Sequence, residues 1–391
     1  MEKTRKTFKG RLRSFGQSLL TLIVTLVVIY LIGEALVYIL YRDRIALFPR
    51  YVTDVHYGEY HLRGNVPNSH YWHKSADGRW EFFINGQGFR DTREFTYEKP
   101  EGTLRVLVLG DSFTIGYEVG QDETYSAVLE RYLRRGRPDV EVINAGMSGS
   151  STAEALILLE KEGIKYDPDV VVLGYYGNDL DDNLKTNLFR LEDGELVVNS
   201  RKYIPAIRIR NTLNSIPLYR WLSEHSYLHN YLNNTATIFF KRRLLSERRQ
   251  ELGATGETQV EARESIKGYR DELGRALVRR VYEVCRENGA YFVLMDIPSR
   301  ELERAFPWHD GADLGYISDS YVDMAPILGS YSDLIPLRVV HGDGHWTPFS
   351  HMMAGVAVGD SILGLMEREG EELRAERTAP ALQVDRAGTR T

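Results

Sequence analysis

Four stretches of the chain combine glycine with a residue able to attack, to donate a hydrogen bond or to move a proton. The first, Val106-Leu107-Val108-Leu109-Gly110-Asp111-Ser112-Phe113-Thr114, runs from an apolar segment straight into a serine. The second is Asn144-Ala145-Gly146-Met147-Ser148-Gly149 and the third is Gly174-Tyr175-Tyr176-Gly177-Asn178-Asp179. Glycine lets a backbone N–H come close to a ligand and asparagine offers a neutral side-chain donor, so both suit a site that holds a developing oxyanion. The fourth, His341-Gly342-Asp343-Gly344-His345-Trp346-Thr347-Pro348, supplies an imidazole and a carboxylate. A serine hydroxyl turns nucleophilic when an imidazole takes its proton and a carboxylate steadies that imidazole. The chemistry read from these residue types is therefore nucleophilic catalysis by Ser112 with His345 and Asp343.

Each element also has a plainer reading. Ser112 alone could cap a following helix, and Asn178 alone could close a turn. His341, Asp343 and His345 alternate, so an extended backbone would point all three to one face as metal ligands, but that leaves Ser112 and Asn178 without a role. Asp179, Asp181 and Asp182 are read as solvated loop charge rather than a cation site. Cys285 is the single cysteine, which excludes an intramolecular disulfide and a multi-thiolate zinc site; it is read as a small packed hydrophobe.

The four stretches must be carried by a frame. Short apolar runs at Leu104–Leu109, Val140–Ile143, Val170–Leu173, Tyr291–Met295 and Leu337–Val340 alternate with segments of helical length, which predicts an α/β domain with a parallel sheet and helices on both faces. Open sheets of this kind bind ligands outside the carboxyl ends of their strands, where all four stretches fall. Residues 42–102 are rich in aromatics and read as a lead-in of short strands packed against the main domain, with a turn at Asn85-Gly86. Residues 184–262 exceed a simple crossover and read as a helical insertion, in which Arg242, Arg243, Arg248 and Arg249 form a solvated face. The tail from residue 367 to 391 has little apolar content and is expected to be disordered.

Leu19 to Tyr41 is apolar over about the length needed to cross a bilayer, interrupted by Gly33 and Glu34. We read residues 17–41 as a transmembrane helix. A cleaved signal peptide with Ala35 near the cut is the alternative, but strong apolar character continues beyond it. Residues 1–16 carry Lys3, Arg5, Lys6, Lys9, Arg11 and Arg13 against Glu2, which orients the amino terminus to the cytoplasm and the rest outside. The whole chain has 391 residues and a net charge of −6, so no global basic excess points to nucleic acid.

Ser112, Gly146, Asn178 and His345, in that order, resemble the four signature residues of the SGNH or GDSL hydrolase superfamily, over about Thr103 to Met366. The resemblance implies a flavodoxin-like three-layer sandwich with a five-stranded parallel sheet, Ser112 as nucleophile, His345 as base and then acid, and no metal or other cofactor. It also implies an oxyanion hole made of the Ser112 and Gly146 N–H groups with the Asn178 side chain. The family commonly has Asp three positions before the histidine, whereas here position 342 is Gly and Asp343 stands two before. The Asp-x-His-Trp element resembles relatives that handle acetyl groups on bacterial exopolysaccharides. The expectation is a membrane-anchored, extracytoplasmic serine esterase of acylated carbohydrate, with a polysaccharide O-acetyltransferase of the same fold or a non-catalytic glycan-binding scaffold as alternatives.

Overall fold

The computed structural model describes residues 8–47, 52–204, 207–253, 259–307, 316–342 and 344–378. A long helix, α1 (Phe8–Tyr41), leads the chain, and its side chains from Leu19 to Ile32 are mostly exposed although apolar. Two antiparallel hairpins follow: β1 (Val52–Tyr57) with β2 (Tyr60–Asn65), and β3 (Ser69–Ser75) with β4 (Gly78–Ile84). These are the short strands expected of the aromatic lead-in. Asn85 does organise the following turn, its Oδ1 accepting from the N–H groups of Gln87 and Phe89.

The main domain then alternates strands and helices: β5 (Leu104–Gly110), the single turn α2 (Ser112–Ile115), α3 (Tyr125–Leu133), β6 (Val140–Asn144), α4 (Thr152–Lys161), β7 (Val170–Tyr176) and α5 (Asn178–Thr186). The insertion comes next, with a small hairpin β8 (Phe189–Glu192) and β9 (Glu195–Val198), then α6 (Ile207–Asn214), α7 (Pro217–His225) and α8 (Tyr227–Gly253). The chain returns through α9 (Gln259–Glu287), β10 (Tyr291–Ile297), β11 (Ser320–Asp323), α10 (Met324–Gly329) and α11 (Pro348–Thr378).

Five parallel strands form the central sheet in the order β6-β5-β7-β10-β11. Alternate side chains of β5 show why both faces are covered. Val106 and Val108 pack with Leu129 of α3 and Val358 and Ile362 of α11, whereas Leu107 and Leu109 pack with Leu156 of α4 and Leu277 and Val281 of α9. The chain winds outward in both directions from the β5–β7 pair, whose register sets Gly110 beside Gly174. That pair is the topological switch point, where a ligand crevice opens.

Two expectations are corrected. The fifth strand is β11 at Ser320–Asp323; Leu337–Val340 is irregular, with one bridge between Arg338 and Trp346. Its apolar side chains mimic a strand in sequence, yet Val340 is 77% exposed, so burial does not select sheet pairing there. The carboxyl-terminal helix α11 also continues to Thr378, well past residue 367. Residues 1–7 and 379–391, His309 and residues 254–258 of the insertion lie outside the described residues.

Candidate active site

Ser112 is set by a sharp exit from β5. Gly110 has φ +147°, and a Cβ there would lie 2.2 Å from Thr114 Oγ1 and 2.8 Å from the Gly174 carbonyl oxygen, so only glycine fits. Asp111 then caps α2, its Oδ1 accepting from Phe113 N–H at 2.9 Å. Ser112 becomes the first residue of that turn, where a backbone N–H has no acceptor inside the helix. The cap is thus Asp111, and the serine hydroxyl is left for other work.

That hydroxyl lies 2.9 Å from His345 Nε2. His345 Nδ1 lies 3.3 Å from Glu118 Oε2, and the same oxygen accepts from the His345 backbone N–H at 3.3 Å. With Nδ1–H donating to the carboxylate, Nε2 is left as the acceptor for the serine proton. Glu118 is fully buried and has φ +63°, a left-handed conformation that a non-glycine residue adopts only where its surroundings impose it. The carboxylate facing the histidine is therefore Glu118, six positions after Ser112, which the sequence reading passed over. The available signal was a lone carboxylate in the otherwise uncharged run Phe113–Gly120. Asp343, the expected acid, lies outside the described residues.

The lead-in imposes the strained loop. Arg90, 2% exposed, stacks its guanidinium 3.7 Å from the centre of the Phe82 ring and donates to the carbonyls of Ile115 (2.6 Å), Gly116 and Val119 (2.8 Å). Burial lowers the pKa of Arg90 to about 10, so it stays charged at neutral pH. His73 of β3, also fully buried, brings Nε2 to 4.0 Å from Glu118 Oε1. One wall of the site is thus made by residues 73–90, ahead of the sheet.

On the other side, Asn178 Nδ2 donates to Asp111 Oδ2 at 3.1 Å, which holds the asparagine over the switch point with its second N–H uncommitted among the described residues. Burial pushes the Asp111 carboxyl up to about 6 and that of Asp179 well above the usual range. The acidic trio is internally satisfied. Asp179 accepts from Thr152 Oγ1 and Tyr176 N–H, Asp181 pairs with Arg249 and Arg270, and Asp182 pairs with Lys185. Asp179 and Asp182 are buried, which corrects their reading as solvated charge.

Gly146 departs from its expected role. Its N–H donates to Asn144 Oδ1 at 3.1 Å, and its Cα packs against α2 so closely that a Cβ would meet Ile115 N at 2.4 Å. It serves close packing, and the amides of this loop that lack a partner among the described residues are those of Ser148 and Gly149. Of the alternating trio, His341 and His345 do not converge, since His341 Nδ1 is bonded to Asp77 at 2.9 Å while both ring nitrogens of His345 face Ser112 and Glu118.

A half-exposed hydroxyl backed by a buried imidazole and carboxylate at the switch point of a five-stranded flavodoxin-like sheet defines an SGNH-type site. The chain belongs to the GDSL-like lipase/acylhydrolase family, whose sequence profile matches residues 108–322. An arylesterase of Vibrio mimicus is 33% identical over 79 residues, a match covering 20% of this chain and 40% of that one. Among solved structures, a two-domain esterase active on acetylated mannans covers 67% of this chain and 50% of its own at 14% identity and a TM-score of 0.37. TesA covers 67% and 99% at 13% identity and a TM-score of 0.36.

Proposed function

We propose that this protein is a membrane-anchored serine esterase that works through a covalent acyl-Ser112. The observation that carries the reading is the 2.9 Å contact of Ser112 Oγ with His345 Nε2 while Nδ1 faces buried Glu118. His345 takes the hydroxyl proton as Oγ bonds to the ester carbonyl carbon. The oxyanion is received by the Ser112 N–H, by the free amides of the Ser148–Gly149 loop and by the second N–H of Asn178. His345 returns the proton to the departing alkoxide, and an acceptor hydroxyl then cleaves the acyl-serine by the same steps in reverse. Water as acceptor gives hydrolysis; a sugar hydroxyl gives transfer through the same residues.

The exposed apolar length of α1 and the basic residues before it support a single span with the amino terminus in the cytoplasm and the catalytic domain outside the inner membrane. That topology supports acetyl or other acyl esters of envelope or exported polysaccharide as the substrate class. The test is labelling of the full chain in detergent with a fluorophosphonate, beside Ser112→Ala and His345→Ala. Loss of label in the first and strong reduction in the second are expected. A folded wild type that takes no label overturns the serine mechanism and favours a glycan-binding scaffold.

A further inference from the structure

Glu34 breaks the apolar run of α1, and the structure shows what it does. Its Oε1 accepts from Tyr227 N–H at 2.8 Å, and its Oε2 accepts from Leu228 N–H at 3.0 Å and Ser226 Oγ at 2.6 Å. A carboxylate on α1 therefore caps the amino terminus of α8, satisfying amides that have no acceptor within that helix and complementing its positive end. Gly33 makes room, since a Cβ there would lie 2.9 Å from Leu228 Cδ2, and the rings of Tyr38 with Tyr227 and Tyr41 with Tyr231 meet at 5.1 and 5.0 Å.

This contact fixes the depth of the insertion. From Leu19 to Glu34 a helix rises about 22 Å, against roughly 30 Å of hydrocarbon, so the start of α8 lies in the outer leaflet if Leu19 marks the inner boundary. The helices joined there are apolar on their open sides. Ile216, Leu218 and Trp221 at α7 are 47%, 65% and 55% exposed, and Leu232, Phe239 and Phe240 on α8 are 57%, 61% and 62% exposed. Leu232 and Phe239 stand two turns apart on one face, exposed Arg220 lies on α7, and exposed Arg242 and Arg243 follow Phe240 on α8.

We propose that α8 starts in the outer leaflet of the bilayer that α1 crosses and that α7 and the rest of the first half of α8 lie along its outer interface, so that the insertion is a second, interfacial membrane contact. The proposal rests on α1 being a membrane span. Its occupant is lipid because the face is continuous with α1, is tied to it by the half-buried Glu34 carboxylate, and combines aromatic and aliphatic side chains with neighbouring arginines, the composition of an interfacial helix.

The test places a cysteine, labelled with an environment-sensitive nitrobenzoxadiazole dye, at Ile29, Leu218, Phe239 or Leu334 of the full chain. Wild type, whose Cys285 is buried, serves as the labelling blank. The proteins are reconstituted in phosphatidylcholine vesicles containing phosphatidylglycerol, with and without doxyl-labelled lipid. Expected is loss of most fluorescence to doxyl lipid at 29, 218 and 239, with none at 334. Quenching at 29 but not at 218 and 239 overturns the proposal and leaves the anchor standing; no quenching at 29 overturns the anchor and the proposal with it. Protection of 239 from aqueous iodide without lipid quenching means that protein, such as a second copy, covers the face, and also overturns it. Glu34→Gln in the Phe239→Cys background should reduce the quenching at 239 while that at 29, read separately, persists.

Discussion

At the scale of single residues, the site turns on which carboxylate serves His345. Glu118→Gln removes the acceptor of Nδ1–H while keeping shape, so kcat should fall by about 10²- to 10⁴-fold, whereas Asp343→Asn should stay within a few-fold of wild type. Ester turnover by purified variants decides; the reverse ranking would return the role to Asp343. Asn178→Ala should lower kcat by about 10²- to 10³-fold with the melting transition preserved, the loss of one oxyanion donor. Asp111 gives a prediction in pH. Its folded pKa of about 6 lies above the unfolded value near 3.8, so the folded state binds the proton more tightly, and stability falls as pH rises from about 4 to about 6. Holding the ionised carboxylate buried costs about 3 kcal/mol at neutral pH. Denaturant titrations at pH 4 and pH 7 should show a loss that is smaller in Asp111→Asn than in wild type by about this amount, the remainder coming from Asp179. The serine and the asparagine were legible because each follows a strand end marked by glycine, and the histidine because it stands in the glycine-rich run His341–Thr347. Glu118 was not, because what makes it the acid is a left-handed backbone and the approach of residues more than two hundred positions away.

At the scale of elements, the sheet was legible wherever a run of apolar residues is buried on both faces, as in Leu104–Leu109 and Val170–Leu173. Leu337–Val340 has the same composition but packs only in part, and β11 was missed because Ser320–Asp323 is a short, half-buried edge strand with little apolar signature. The hairpin β3–β4 was foreseen as packing material, but its contribution to the site was not, since it depends on tertiary contact. Arg90, which follows the hairpin and stacks on Phe82 of β4, carries the contact to the Glu118 loop through a planar fork that reaches three carbonyls at once. Arg90→Lys keeps the charge and loses the fork. It should lower kcat at least about tenfold through a loosened Glu118 loop and lower the melting temperature by several degrees, readable by ester turnover and calorimetry. Unchanged turnover in that variant would mean the loop holds itself.

For the whole molecule, the family match and the working unit differ in extent. Residues 108–322 include Ser112, Glu118 and Asn178, but His345 lies beyond one end and His73 and Arg90 before the other. A chain beginning at residue 103 should fail to take a fluorophosphonate label even in its soluble fraction. The full chain should label, because Phe82 and Ile84 of the hairpin share a buried cluster with Ile115 and Tyr117 of the catalytic loop. Labelling of the shorter chain at the full-length rate would show the lead-in to be dispensable. The six-residue spacing of nucleophile and acid also bears on how such a site changes over generations. Ser112 and Glu118 travel on one short piece of gene, so recombination rarely parts them, and only the histidine must be recovered from afar. In relatives that keep the acid beside the histidine, the pair inherited together is the other one.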